Sequence, residues 1–146
     1  MKIPNYNIIK EIGSGGMGAV YLAEHTLIKR KVAIKSLHVN LINNTPLRER
    51  FKNEGTALAK VEHPNIVRLN EYIEQQDGIF LIMEYIDGLP LNEHIKKISG
   101  PLNDEKLVPM FCQILDAFEY AHNKKIIHRD IKPSNILIEK NGTPKI

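Results

Sequence analysis

One cysteine, Cys112, is all that the 146 residues contain, so no intramolecular disulfide forms and a disulfide-held scaffold is excluded. Apolar runs are short as well. The longest, such as Ile79 to Met83, reach five residues against the roughly 18 that a membrane span requires. The segment Met1-Lys2-Ile3-Pro4-Asn5-Tyr6 has no apolar stretch of the secretory kind, and with the cysteine usage this sets the expectation of a reducing cytoplasm. No block of one charge sign occurs. The 20 Lys plus Arg and 17 Asp plus Glu are spread along the chain, and with a net +3 and pI near 8.9 nucleic acid is not the default partner. Internal repeats and low-complexity stretches are absent too. The remainder is ordinary globular composition, 42% hydrophobic, with room for one sizeable core or two small lobes.

Periodicity and Gly/Pro punctuation supply the organisation. Tyr6 to Ile12, Ala19 to Glu24 and Lys31 to Leu37 read as strands, the first two joined by Gly13-Ser14-Gly15-Gly16-Met17-Gly18, a hairpin with a glycine-rich tip. Leu47, Phe51, Glu54 and Leu58 fall at helical spacing, and His63-Pro64-Asn65 is expected to stop that helix. Ile66 to Leu69 and Ile79 to Tyr85 predict two further antiparallel strands around a turn at Gln75-Gln76-Asp77-Gly78. Asp87-Gly88-Leu89-Pro90 reads as a linker, which places a boundary near residues 86–90.

Beyond the linker, Leu107, Phe111, Ile114, Leu115, Phe118 and Ala121 mark one face of a long helix over 102–125. Asn103 or Asp104 is placed to cap it, and Pro109 is expected to kink it or delay its start. Ile136-Leu137-Ile138, Asn141-Gly142 and Lys145-Ile146 predict a hairpin whose second strand stops after two residues, so a truncated fold is expected.

Gly13, Gly15 and Gly18 form a GxGxxG pattern that dinucleotide folds share. A dinucleotide site needs a helix opening at the last glycine, whereas Gly18-Ala19-Val20-Tyr21-Leu22 continues as a strand. A glycine loop between strands instead lays backbone N–H groups against phosphates, because residues without Cβ atoms allow close approach and positive φ. On Val32-Ala33-Ile34-Lys35, period-2 alternation puts Ala33 and Lys35 on one face. Val20 and Ala33 are then suited to cover a planar adenine, and Lys35 to reach phosphate oxygens.

An acid at Glu54, on the apolar stripe, is costly to bury without a cation, and Lys35 is the candidate partner; a solvated lysine and an outward-facing acid are the plainer alternative. The run Ile126-Ile127-His128-Arg129-Asp130-Ile131-Lys132-Pro133-Ser134-Asn135 sets a carboxylate, an ammonium and an amide oxygen within six residues. Asp130 suits accepting or orienting a hydroxyl proton, Lys132 neutralising a moving phosphoryl group, and Asn135 offering oxygen to Mg²⁺. The plainer alternative is a polar loop after a helix.

In order along the chain, the glycine loop through Val20, the Val32-Ala33-Ile34-Lys35 strand, Glu54, His63-Pro64-Asn65-Ile66-Val67 and His128-Arg129-Asp130 resemble the eukaryotic-type protein kinase family, in its bacterial serine/threonine form. The resemblance implies an α+β fold: an antiparallel five-stranded small lobe with one helix over 1–86, and the start of a helical large lobe over 87–146. It implies ATP and Mg²⁺ as cofactors, with ATP held by Ile12, Gly13, Ser14, Gly15, Gly16, Met17, Gly18, Val20, Ala33, Lys35 and Glu54. Met83 would be the gatekeeper behind the adenine, and backbone groups of Glu84 and Ile86 would meet its edge. Asp130, Lys132 and Asn135 would be catalytic, Asn135 also holding metal. A lysine two residues after Asp130 is similar to serine/threonine rather than tyrosine kinases, so the implied partner is a protein bearing Ser or Thr, and Arg129 hints at pairing with a phosphorylated loop.

The 146 residues end ahead of the place where the family has Asp-Phe-Gly, and the chain alone is expected to be inactive or nearly so. Gly55 stands where the family often has alanine, and Lys125 where glycine is frequent. The long helix is expected to expose an apolar patch prone to association. The competing reading is a kinase-derived nucleotide-binding or interaction module without turnover.

Overall fold

A computed structural model describes residues 2–76 and 78–146. The described residues form two compact units, one drawn from 1–59 and 68–85, the other from 60–67 and 86–146.

In the first unit, β1 (Tyr6–Ser14), β2 (Gly18–His25), β3 (Lys31–Leu37), β4 (Leu69–Gln75) and β5 (Gly78–Glu84) form one antiparallel sheet in the order β1-β2-β3-β5-β4, joined by the helix α1 (Thr45–Leu58). The expected five-stranded α+β arrangement is present. Strands β3 and β5 lie inside the sheet and are buried on both faces, which is why their sequences are nearly continuous apolar runs. Val32, Ile34, Phe80 and Ile82 pack with Ile3 and Ala23 on one face. Leu37, Ile79 and Leu81 pack with Phe51 of α1 on the other.

Local chemistry fixes α1. Asn44 Oδ1 accepts the Leu47 N–H at 3.2 Å, and Pro46 sits in the first turn, where its missing N–H costs nothing. Gly55 is the contact point: an added Cβ would stand 2.7 Å from Leu81 Cδ2, so glycine lets the helix approach β5. That packing offsets a helix-propensity cost of about 1 kcal/mol.

Two expectations need correcting in this part of the chain. The helix ends at Leu58, ahead of His63, so Pro64 is not its stop. The strand expected at Ile66 begins only at Leu69. Val67 N–H donates to the Ile146 carbonyl at 2.8 Å and Ile146 N–H to the Asn65 carbonyl at 2.9 Å, so this backbone is paired within the second unit instead. Asp77, in the expected turn before β5, lies outside the described residues.

The second unit contains β6 (Gly88–Pro90), β7 (Leu137–Glu139) and β8 (Pro144–Lys145) in the order β6-β7-β8. It also holds α2 (Leu91–His94), a π-helical turn over Ile95–Ser99, and α3 (Asp104–Asn123). The segment expected to be a linker is therefore strand β6, its three residues too few to show any alternation. The terminal hairpin is formed as β7 and β8, with Gly142 at φ +91° in its turn.

Helix α3 starts at Asp104 with Asn103 as its cap, the side-chain oxygen accepting Lys106 N–H at 3.3 Å. Pro109 sits inside the helix and does not delay its start, although it lacks the N–H that would meet the Glu105 carbonyl one turn earlier. The buried stripe is Met110, Ile114 and Ala117, flanked by Leu107 and Phe118. Phe111 and Leu115, expected on that stripe, are 44% and 60% exposed, because the helix carries apolar residues on a second face as well. Its end is a Schellman turn: Ile126 N–H donates to the Ala121 carbonyl and Lys125 N–H to His122, with Lys125 at φ +62°. This left-handed position explains why glycine suits residue 125.

Candidate active site

Strand register brings the first group together. Val20 lies opposite Lys35, and Ala33 opposite both Leu22 and Met83, so Val20, Ala33, Lys35 and Met83 share the sheet face against which α1 packs. Lys35 Nζ meets both carboxylate oxygens of Glu54, at 2.6 and 2.7 Å, and lies 5.8 Å from the Phe51 ring centroid. The two side chains are 25% and 36% exposed, so the pair is half-buried rather than buried as expected for Glu54. Phe51, one turn from Glu54, is a partner of Lys35 that the spacing placed on the right face without suggesting a cation contact.

The glycine loop separates into two parts. An added Cβ at Gly18 would stand 2.0 Å from the Ser36 carbonyl oxygen, so glycine there is required by the close approach of β2 to β3. At Gly13, Gly15 and Gly16 an added Cβ meets nothing within 4 Å, and none of the three has positive φ. The expected role of positive φ is therefore absent; open backbone is what these three positions provide. Open backbone of this kind leaves room for an anion such as a phosphate group to approach it. Ile12 and Ser14 are exposed beside it, and Met17 packs onto the Leu37–Phe51 core.

Glu84 closes β5: its N–H donates to the Arg68 carbonyl and its carboxylate accepts Arg68 N–H, both at 2.9 Å. Ile86 is buried in the second unit, with its carbonyl accepting Gly88 N–H at 3.0 Å. A cleft of about 370 Å³ lined by Tyr6, His25, Arg30, Val32 and Arg68 opens on the Val32 face, away from these groups.

In the second unit one tight loop gathers Asp130, Lys132 and Asn135. The turn Pro133–Asn135 swings Asn135 back, and its Nδ2 donates to both the carbonyl and Oδ2 of Asp130 at 2.9 Å. Lys132 Nζ stands 3.0 Å from the same Oδ2. His128 Nδ1 accepts Asp130 N–H at 3.3 Å, and its ring meets Phe118 of α3 edge-on at 6.3 Å. Arg129 has φ +63°, a strained conformation for arginine, and the Asp130 N–H to His128 Nδ1 hydrogen bond spans it. The ammonium of Lys132, and next the Asn135 amide, hold the Asp130 carboxyl below its ordinary value.

With its nitrogen committed to Asp130, Asn135 has its side-chain oxygen left to offer beside a carboxylate. These are hard donors that suit Mg²⁺, an ion that takes few protein ligands and keeps phosphate oxygens and water. Among the described residues there is no cluster of three or more His, Cys, Asp or Glu of the kind that holds a metal by protein ligands alone.

Comparison with known proteins gives the family. The protein kinase domain model matches residues 6–146. The chain is 40% identical over 141 residues to serine/threonine-protein kinase PrkC of Bacillus subtilis, and 41% identical over 142 residues to the probable serine/threonine-protein kinase PknB of Lactococcus lactis; each match covers 97% of this chain and 22% of the relative. It is 40% identical over 137 residues to serine/threonine-protein kinase pkn2 of Myxococcus xanthus, covering 94% of this chain and 16% of that protein. The chain thus spans about a fifth of the length of the curated relatives it matches. It belongs to the protein kinase domain family.

Proposed function

We propose that the chain contributes to phosphoryl transfer from ATP to serine or threonine hydroxyls of a protein substrate. The observation that carries this reading is the Asp130 loop, in which one exposed carboxylate is kept ionised by Lys132 and Asn135. The family generally uses ATP and Mg²⁺, and the open glycine backbone and the Asn135 oxygen suit both.

The proposed division of labour follows the chemistry of each group. The open backbone over Gly13 to Gly16 admits phosphates to the Gly16 N–H, and Val20 and Ala33 offer the flat apolar surface for adenine. Met83 limits the depth of that surface, and backbone groups of Glu84 and Ile86 are assigned to the adenine edge. Glu54 holds the Lys35 ammonium in one place, so that it meets phosphate oxygens as an oriented charge. Asp130 orients the attacking hydroxyl and takes its proton late, as suits a weakly basic carboxylate. Lys132 supplies positive charge beside that hydroxyl, and Asn135 holds Asp130 in place while its oxygen serves Mg²⁺. When bound, MgATP supplies the transferable phosphoryl group and charge neutralisation.

Among the described residues no helix is long and apolar enough to cross a membrane. We place the chain's working compartment in the cytoplasm, where ATP is available.

The test is ATP binding by calorimetry and transfer of labelled phosphate to a protein substrate, in the 146-residue chain and in the longest form its gene encodes. Binding with transfer to Ser or Thr is expected in that longest form. Binding without transfer in every form would favour the nucleotide-binding module, and transfer to Tyr would contradict the hydroxyl class.

A further inference from the structure

The glycine loop is held from one side by a residue that none of the assigned roles uses. After β3 ends at Leu37, His38 has φ −60° and ψ 137° and turns the chain into a short 3-10 turn at Val39–Leu41. Its backbone N–H donates to the Met17 carbonyl at 3.0 Å. Its ring Nε2 lies 3.0 Å from the Gly15 carbonyl oxygen. A carbonyl oxygen only accepts, so Nε2 carries the hydrogen and donates it. His38 therefore grips the carbonyls of residues 15 and 17, while Gly15 N–H closes on the Gly18 carbonyl at 2.9 Å.

The consequence lies in the peptide plane. In a trans peptide the carbonyl and the following N–H point to opposite sides. A Gly15 carbonyl drawn to His38 thus turns the Gly16 N–H away from His38. Among the described residues no acceptor meets that N–H, and an added Cβ at Gly16 meets nothing within 4 Å. Without a tether, a run containing Gly13, Gly15 and Gly16 samples many orientations, and a phosphate that binds it must bear the cost of ordering it.

We propose that His38 is a positioning residue that fixes the Gly15–Gly16 peptide so that the Gly16 N–H is presented, before any ligand arrives, to a nucleotide phosphate. The inference rests on the ATP reading above. It assigns His38 no contact with the nucleotide: the side chain acts through the loop backbone. Its effect is therefore specific to the phosphates and absent for the nucleoside.

Calorimetric titrations of the 146-residue chain with MgATP and with adenosine, on the parent, His38→Ala and His38→Gln, test this. The loss of one net hydrogen bond predicts an ATP affinity about three- to tenfold lower in His38→Ala. Adenosine affinity stays within about twofold. Glutamine carries an uncharged N–H at the place of Nε2, so His38→Gln recovers most of the ATP affinity. Equal losses for ATP and adenosine, or a glutamine variant as weak as alanine, would overturn the positioning role, the second outcome pointing to imidazolium charge instead.

A nitrogen-15 relaxation measurement on the nucleotide-free chain stands apart from the ATP reading. The Gly16 amide is expected to gain fast motion in His38→Ala and to regain order in His38→Gln. An unchanged Gly16 amide would sink the proposal even if ATP binds. Absence of ATP binding by the parent chain would instead sink the functional reading, and the phosphate role of His38 with it.

Discussion

Lys35 and Glu54, on β3 and α1, are joined by two hydrogen bonds from one ammonium to both oxygens of one carboxylate. The side chains keep a quarter and just over a third of their surface in water. The pair therefore falls between an exposed ion pair, worth about 0–1 kcal/mol, and a buried one, whose breakage costs about 3–5 kcal/mol. Lys35→Met should lower stability by about 1–2 kcal/mol in urea denaturation while keeping the fold, and should abolish phosphate transfer by the longest form of the protein. Unchanged transfer would remove Lys35 from the proposed chemistry.

Glycine at position 18 serves the sheet, whereas an added Cβ at position 16 meets nothing within 4 Å. Gly18→Ala drives a Cβ against the Ser36 carbonyl and is expected to cost about 1–3 kcal/mol or more. Gly16→Ala should leave thermal stability within about 0.5 kcal/mol and weaken ATP binding. Comparing melting temperatures with ATP affinities for the two variants checks both halves.

The two lysines near the loop behave differently. Lys125 occupies the left-handed position that ends α3, a conformation that costs a side-chain-bearing residue about 1–2 kcal/mol. Glycine loses more freedom on folding, so Lys125→Gly should stabilise the chain by a net of roughly 0.5–1 kcal/mol. Lys125→Val should destabilise it. Equilibrium unfolding of both variants decides the matter.

Lys132 is the main cause of the low Asp130 pKa, with Asn135 second. Lys132→Gln is thus expected to move the Asp130 carboxyl back up toward its ordinary range, and Asn135→Ala to move it less far. A carboxyl held low in the folded state favours folding above its unfolded pKa, and that contribution disappears as pH falls through the folded value. The effect therefore lies in the acid range and leaves stability near neutrality flat. A carbon-13 titration of the Asp130 carboxyl provides the check.

On the second face of α3, Val108, Phe111 and Leu115 are 57%, 44% and 60% exposed, and Ile127 and Ile131 are exposed beyond the helix. A patch of this kind favours association. Light scattering of the 146-residue chain is expected to report species above the monomer mass at high concentration, and a clean monomer peak would contradict this.

Elements with a strong repeating pattern were legible from the sequence. The order β1, β2, β3, α1 followed from alternation, the glycine cluster and the Leu47–Leu58 spacing, and the Lys35–Glu54 pair from the cost of an acid on an apolar stripe. Strand β6 was not legible, because three residues carry no period. The face of α3 was misread because apolar residues lie on two sides of it, so no single stripe predominates. The pairing of Asn65 and Val67 with Ile146 is a contact distant in sequence, which no local pattern encodes. In the candidate site the residue types were legible, whereas the turn that draws Asn135 onto Asp130 and the grip of His38 on Gly15 depend on backbone geometry.

The central claim is that these residues direct a phosphoryl group from ATP to a serine or threonine hydroxyl. Its most direct test is phosphoamino-acid analysis of a protein substrate incubated with labelled ATP and the longest form of the protein, parent against Asp130→Asn. The account predicts phosphoserine or phosphothreonine with the parent, and none with Asp130→Asn although that variant still binds ATP. Label on tyrosine, or undiminished transfer by Asp130→Asn, would contradict it.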